Sequence, residues 1–486
     1  MTIENFINGK HFPSNGARIL LFEPATGLEY GSLPDSTEND LEEAVNGARQ
    51  ARANWAGMDG VERGNCLRRL ADLIEAHAEE LIEAEARDNG KTKGLATHVD
   101  LPRTLSTLRF FAGAAEHVSS ESHLAQNGKI IQYTHRKPVG IVGCIAPWNF
   151  PLYLFAWKFA PALAAGNCVI GKPSEWTPAT AYLMSRWINE AGFPPGVFNI
   201  LFGRGPGIGE HIVRHPEIKA ISFTGGTVAG RRINELASQQ FKKVTLELGG
   251  KNALVIFPDA NLDAAVGAAL RSSFANMGQI CFCTSRILVH ASIFDAFREK
   301  FVGAARAMHV GDPLDPTTTT GAMVSEEHKQ RVLQSIQRAV EEGGKVLCGG
   351  HAAEAPSERC SGGAFIQPTV IEGLPMDSDT NQNEIFGPVV TLQAFEHESE
   401  ALALVNDSQY GLTASVWSRD IDRCHRFAAN VDVGTVWVNC WMVRDNRAPF
   451  GGQKSSGIGR EGGWEAMRFF TDPVNVCIEI APDGAS

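Results

Sequence analysis

Four short segments carry residue types that could do chemistry together. The first, Phe274-Ala275-Asn276-Met277-Gly278-Gln279-Ile280-Cys281, ends in a cysteine. A thiol attacks a carbonyl carbon only as the thiolate, so it needs a cleft that exposes the sulfur and stabilises its charge. Gly278, just upstream, permits close approach of another group. The second, Val244-Thr245-Leu246-Glu247-Leu248-Gly249-Gly250-Lys251, sets Glu247 at the end of a buried apolar run. A carboxyl desolvated in a cleft rises in pKa toward neutrality, which suits a general base. The third, Ala146-Pro147-Trp148-Asn149-Phe150-Pro151, holds Asn149 between two prolines, and a rigidly held side-chain amide can donate to an oxyanion. The fourth, Ser222 to Gly230, runs an apolar strand through Gly225 and Gly226 into a helix, which presents free backbone N–H groups to a phosphate. Its glycine spacing differs from the usual dinucleotide fingerprint. Taken singly, each has a plainer reading: a structural cysteine, a surface glutamate, an asparagine in a turn, a weak glycine motif.

These groups must be positioned by the elements that the hydrophobic pattern predicts. Residues 37–56, 61–89 and 98–117 read as helices, and Phe6-Ile7-Asn8-Gly9-Lys10 as a strand and turn. From 139 to 290, short apolar runs (139–146, 165–171, 197–201, 220–223, 244–246) alternate with helices such as 177–191 and 206–214. Over 253–440 the alternation resumes, with strands at 254–257, 286–289, 389–395, 414–417 and 435–438 and helices at 324–342 and 420–430. Strand–helix alternation implies parallel sheets with helices on both faces. The fold class expected is α/β, with two doubly wound parallel-sheet domains that join near 248–252. Segments 128–136 and 475–481 alternate like half-buried strands, to be paired with each other or with a second subunit.

A chain of 486 residues is too long for one hydrophobic core. With 43% hydrophobic and 20% charged residues it has a globular composition, and a net charge of -11 argues against a nucleic-acid binder or a membrane-surface protein. The N-terminus has no basic signal region, and the most apolar stretch, 141–171, is broken by Pro147, Asn149, Pro151, Lys158 and Pro161, so a cytoplasmic protein is expected. The ten cysteines show no paired spacing, and Cys281-Phe282-Cys283 lacks the second ligand pair of a zinc site, so no metal is expected.

In order and in wording these segments resemble the NAD(P)-dependent aldehyde dehydrogenase superfamily, almost from end to end. The resemblance implies Cys281 as nucleophile, Glu247 as general base, and Asn149 with the Cys281 backbone N–H as oxyanion donors. It implies a nicotinamide cofactor. Lys172-Pro173-Ser174-Glu175 is similar to the adenosine-ribose segment, with Lys172 and Glu175 bonding to the hydroxyls and Ser174 beside them. A carboxylate there repels a 2′-phosphate, so NAD is expected over NADP. Glu384-Ile385-Phe386-Gly387-Pro388 is similar to the segment that grips the nicotinamide ribose through Glu384 and packs Phe386 on the ring; Trp148 lines the path. Gly226 stands where many members have serine, and tight-turn freedom is expected of it. Lys454 and Glu461 resemble a relay pair of some members, or else a structural ion pair. The domains implied are an NAD-binding domain (1–118 and 138–248), a catalytic domain (249–465) and a β oligomerisation arm (119–137 and 466–486), in a homodimer or homotetramer.

Arg103 and Arg444 fall at positions that line the substrate tunnel in the superfamily, where many members are apolar. Two guanidinium groups there imply an anionic substrate, since arginine binds carboxylate bidentately. The wording around Arg444 is similar to the branch that oxidises 2-hydroxymuconate and 2-aminomuconate semialdehydes. The plainer reading pairs the arginines with Asp100 or Asp445. Two other readings are a betaine-aldehyde or simple-aldehyde enzyme, with Tyr153, Trp157 and Trp441 as an aromatic box, and a non-catalytic protein of the same fold, which would be free to lose Cys281, Glu247 or Asn149.

Overall fold

Short apolar runs bounded by glycine and proline pair into two large sheets. These are seen in a computed structural model, which describes residues 1–480; Ala481 and the remainder of the C-terminal segment lie outside the described residues. In the first sheet the strands Phe198–Ile200, Cys168–Lys172, Ile141–Ile145, Ile218–Thr224 and Lys243–Glu247 run parallel in that order. Asn5–Ile7 and Lys10–Phe12 extend one edge antiparallel, and Gly457–Ile458 closes the other against Leu246 and Glu247. In the second sheet Thr369–Glu372, Val389–Phe395, Thr284–His290, Asn252–Ile256, Thr413–Trp417 and Thr435–Val438 are parallel, with Lys345–Cys348 antiparallel at the edge.

The helix Pro151–Ala164 is buried along nearly its whole length. Pro151 suits its first turn, where no N–H is needed. Its Phe155 occupies the space above Gly171, where a Cβ would meet the ring at 2.4 Å.

Several helices depart from their pattern. The stretch 61–89 forms two helices, Gly60–Ala76 and Ala78–Asn89, broken at His77, where φ is −110° and ψ 28°. No glycine or proline marks this break. The stretch 98–117 opens with a π-helical turn, Ala96–Asp100, before the helix Leu101–Ala114, and the helix expected at 177–191 stops at Ser185.

The segment assigned to the arm from 466 onward begins as the end of the helix Gly463–Phe469, with Met467 and Phe470 buried. Thr471–Glu479 then pairs antiparallel with Ile130–Pro138, and Ser122–Ala125 adds a third strand.

Candidate active site

Parallel register brings the carboxyl ends of the first sheet into one row. Ile145 pairs with Lys172 and with Phe223, and Thr224 with Glu247. Open α/β sheets bind ligands at that edge. The chain crosses from the first sheet to the second between Glu247 and Asn252, so the site lies between them.

Cys281 follows a strained loop. Asn276, Met277 and Gly278 all have positive φ (49°, 55° and 70°), which for the two non-glycine residues persists only if the surroundings hold it. Asn276 Nδ2 donates to the Asn149 carbonyl (3.0 Å), and the Val324 N–H donates to Gln279 Oε1 (3.0 Å). A Cβ on Gly278 would stand 2.1 Å from the Gly387 carbonyl oxygen, so the Cys281 loop and the segment 384–388 touch backbone to backbone. Cys281 is half-buried and lines both a narrow tunnel and a wider cleft.

The thiol is not the stabilised thiolate that the sequence led one to expect. Burial, then the Glu247 and Glu384 carboxyls, push it up to about 12, with Arg444 opposing. A base must therefore take its proton. Glu247 lines the same tunnel, is buried, and has no hydrogen-bond partner on either carboxyl oxygen. Burial, then Glu461, raise its pKa well above the carboxylate range, against Lys158, Arg444 and Arg460. A buried, unpaired carboxyl at a tunnel wall is suited to exchange protons. Asn149, also on the wall, donates one Nδ2 proton to the Gln279 carbonyl (3.0 Å), which leaves the second free.

Arg103 and Arg444 line this tunnel too. Among the described residues neither pairs with a carboxylate. Asp100 is held by Lys91 and Asp445 by Arg447. Arg103 donates to the Met442 carbonyl (3.1 Å), and Arg444 stacks 3.8 Å over Phe450 and 5.3 Å over Trp157.

The wider cleft, about 550 Å³, is lined by Trp148, Gly225, Gly226, Glu384 and Phe386. The helix Thr227–Ser238 starts at Gly226, on the cleft lining, with no side-chain cap, so its first N–H groups have no side-chain partner. Gly226 itself has φ −71° and ψ 151°, an ordinary extended conformation, and a Cβ there would meet nothing within 4 Å. The turn freedom expected of it is not used. Glu384 Oε1 accepts from the Gly250 N–H (3.0 Å), and burial pushes its carboxyl up to about 7. Lys172 and Glu175 lie farther along the same sheet edge as an ion pair (2.7 Å), with Ser174 capping the turn at Trp176 (3.2 Å). Burial opposes the charge on Glu175, but Lys172 and two backbone N–H groups outweigh it and hold the pKa below its usual value. Among the described residues no cluster of three or more His, Cys, Asp or Glu could hold a metal.

The aldehyde dehydrogenase family profile matches residues 11–476. The chain belongs to the aldehyde dehydrogenase family. A 2-aminomuconic semialdehyde dehydrogenase of Danio rerio is 45% identical over 480 residues, 99% of this chain and 98% of that one. A 2-hydroxymuconic semialdehyde dehydrogenase of Pseudomonas sp. (strain CF600) is 41% identical over 486 residues, 98% of this chain and 99% of that one. The solved structure of PnpE in complex with nicotinamide adenine dinucleotide has a TM-score of 0.96 at 37% identity, covering 100% of this chain and 99% of that one.

One pairing must be corrected in this aldehyde dehydrogenase. Lys454 does not meet Glu461; it donates to the Asn406 carbonyl (2.9 Å) and lies 3.7 Å from Asp432. The partner of Glu461 is Lys158, fully buried, at 2.7 Å, with the Ser222 hydroxyl at 3.0 Å. Sequence reasoning passed over Lys158 because a lysine in an apolar helix reads only as a break in a membrane-like run. It also missed His328, which donates to the Phe386 carbonyl (2.8 Å) and packs its ring edge-on to Trp148. Burial lowers His328 to about 4, so it is a neutral donor that steadies Phe386, whose φ is 57°.

Proposed function

We propose that the protein is an NAD-dependent dehydrogenase of a carboxylate-bearing aldehyde, of the 2-aminomuconate or 2-hydroxymuconate 6-semialdehyde class, giving the dicarboxylic acid. The observation that carries the substrate class is the pair of tunnel arginines, Arg103 and Arg444, without carboxylate partners. Relatives at 45% and 41% identity that bear those substrate names support it.

The residues divide the work as follows. Glu247 accepts the Cys281 proton, and the sulfur adds to the aldehyde carbon. Asn149 Nδ2 and the Cys281 N–H hold the oxyanion. NAD, when bound, supplies the hydride acceptor. Glu247, once it has passed that proton to solvent, deprotonates the water that cleaves the thioester, and the departing sulfur takes up a proton, releasing the acid and the free thiol. The cofactor is held by Trp148, the N–H groups after Gly225 and Gly226, Glu384 and Phe386 in the cleft, and Lys172, Ser174 and Glu175 beyond it. The cleft suits the group: the uncapped helix start at Gly226 and Thr224, whose buried hydroxyl is unpaired, line it. Residues 1–118 and 138–248 serve as the NAD-binding domain and 249–465 as the catalytic domain. The three-stranded sheet, with Leu124, Val474 and Ile478 exposed, is the arm of a homodimer or homotetramer. Among the described residues no helix is long and apolar enough to cross a membrane, and we assign the enzyme to the cytoplasm.

The betaine-aldehyde reading fares worse on the same geometry. A cationic substrate needs open aromatic faces. Here Arg444 covers Trp157 and Phe450, Arg103 lies over Tyr153 (5.9 Å), and Trp441 turns its N–H to the Phe282 carbonyl.

The test is NADH formation with 2-hydroxymuconate 6-semialdehyde, betaine aldehyde and a neutral aldehyde. We expect kcat/KM to favour the semialdehyde by at least about tenfold, or ~1.4 kcal/mol of transition-state binding; no preference would remove the substrate assignment. Arg103→Ala or Arg444→Ala should lower kcat/KM for the semialdehyde by about 10- to 100-fold, the ~1.5–3 kcal/mol of a hydrogen bond to a charged group. Neutral aldehydes should be unaffected. Glu175→Ser should improve the use of NADP relative to NAD by about tenfold or more, because a like charge facing the 2′-phosphate is removed. An unchanged cofactor ratio would place 2′ discrimination elsewhere.

A further inference from the structure

We propose that Lys91 is a positioning residue for the oxyanion donor: its ammonium clamps the Asn149 carbonyl and ties it to the turn that carries Arg103. The proposal rests on the reading of Asn149 as that donor.

Lys91 is fully buried. Gly90, with φ 82°, ends the helix Ala78–Asn89 and turns the chain inward, where its carbonyl accepts from the Ala322 N–H (2.9 Å). A primary ammonium has three protons, and all three are used. Lys91 Nζ donates to Asp100 Oδ1 (2.5 Å), the Asn149 carbonyl (2.9 Å) and Glu85 Oε1 (3.4 Å), and stands 4.4 Å from the centre of the Phe150 ring. The preceding residue joins the same clamp, since Asn89 Nδ2 donates to the Trp148 carbonyl (2.8 Å). The Asn149 carbonyl takes its second bond from Asn276, on the nucleophile loop. With Nδ2 held by the Gln279 carbonyl, the direction of the remaining amide proton is set at both ends of the residue.

Asp100 closes the π-helical turn Ala96–Asp100, and Arg103 follows within the first turn of the next helix. One ammonium thus links the group that meets the aldehyde oxygen to the helix that meets the distal carboxylate. Glu85 completes the charge balance. Burial, with Lys91 opposing and Asp100 adding, raises its carboxyl well above the usual range, which favours the neutral acid beside the Lys91–Asp100 pair. A buried ion pair stabilises a fold no better than apolar residues of the same volume, which points to positioning as the use of this one.

The test is the single-turnover rate of NADH formation in the full-length enzyme. Lys91→Met with Asp100→Asn removes both charges together and leaves neither buried alone. We expect this pair to slow the NADH burst by about 100-fold, the scale of an ångström-level misplacement of a catalytic group. Cofactor affinity and the rate of Cys281 alkylation by iodoacetamide should stay unchanged. In an Asn149→Ala background the same pair should change the burst less than about twofold, because residues that act through one group are not additive. Equal slowing in both backgrounds would mean a general structural role and overturn the proposal, as would a folded double variant with a normal burst. If Asn149→Ala alone leaves the burst rate intact, the oxyanion reading fails first and the proposal with it. Asp100→Asn alone removes the charge, though not the oxygen, of one of the three acceptors of Lys91. It serves if the pair does not fold, with about tenfold slowing and the same non-additivity expected; additive slowing, or none, overturns the proposal.

Discussion

Cys281→Ala should lower kcat by ~10⁵-fold or more, the scale seen when a covalent nucleophile is removed, with NAD binding unchanged. No neighbour can replace it. Cys283 is buried, its sulfur lies 3.8 Å from the Ala275 carbonyl, and burial raises its thiol beyond the range of useful ionisation. The Cys281 thiol is itself pushed up to about 12 by burial and then by Glu247 and Glu384. The sign of its pH dependence follows. A raised thiol pKa means that the reactive thiolate grows with every step toward alkaline pH, so iodoacetamide alkylation of the free enzyme should rise through pH 7–9 without a plateau. Residual turnover above about 1% in Cys281→Ala, lost on further change of Cys283, would move the nucleophile to Cys283.

Glu247→Gln should separate the two halves of the reaction. The burst of one NADH per subunit should be slowed, since the Cys281 thiol has lost its proton acceptor, and the turnover that follows should be slower still, ~10²–10⁴-fold below the parent enzyme, the usual contribution of a positioned general base. Mass spectrometry of the quenched protein should then find the acyl group on Cys281. Burial and Glu461 raise the Glu247 pKa well above 4.5, so the parent enzyme loses its base form on acidification and steady-state turnover should climb with pH through that raised pKa. The Gln variant should lack that limb. If burst and steady state fall by the same factor, the essential act of Glu247 is taking the Cys281 proton rather than activating water.

Much of the architecture could be read from local pattern. The runs at 389–395 and 435–438 coincide with the strands Val389–Phe395 and Thr435–Val438, because a short apolar run between turn residues has few other ways to bury itself. The helix break at His77 was hidden, since no glycine or proline stands there, and the π-helical turn before Leu101 was hidden because Pro102, which follows it, ordinarily marks only the start of a helix. Gly278 was legible as a point of close approach, but the identity of what approaches it, the Gly387 carbonyl, was not.

Residue type and spacing offered the candidates for the chemical roster, a cysteine after a glycine-containing loop, a glutamate at a strand end and an amide between prolines; the resemblance of their wording to a known family gave them roles and added the two arginines. Those depend on the side chain and on a few adjacent residues. Tertiary structure decided who pairs with whom and who is charged. Glu461 meets Lys158, 303 positions away, rather than nearby Lys454. Asp100 goes to Lys91 and Asp445 to Arg447, which leaves Arg103 and Arg444 without a carboxylate partner among the described residues. Cys281 is a neutral thiol because it is desolvated among carboxyls. Coulomb energy and desolvation depend on distance in space and on exclusion of water, and neither can be read from distance along the chain.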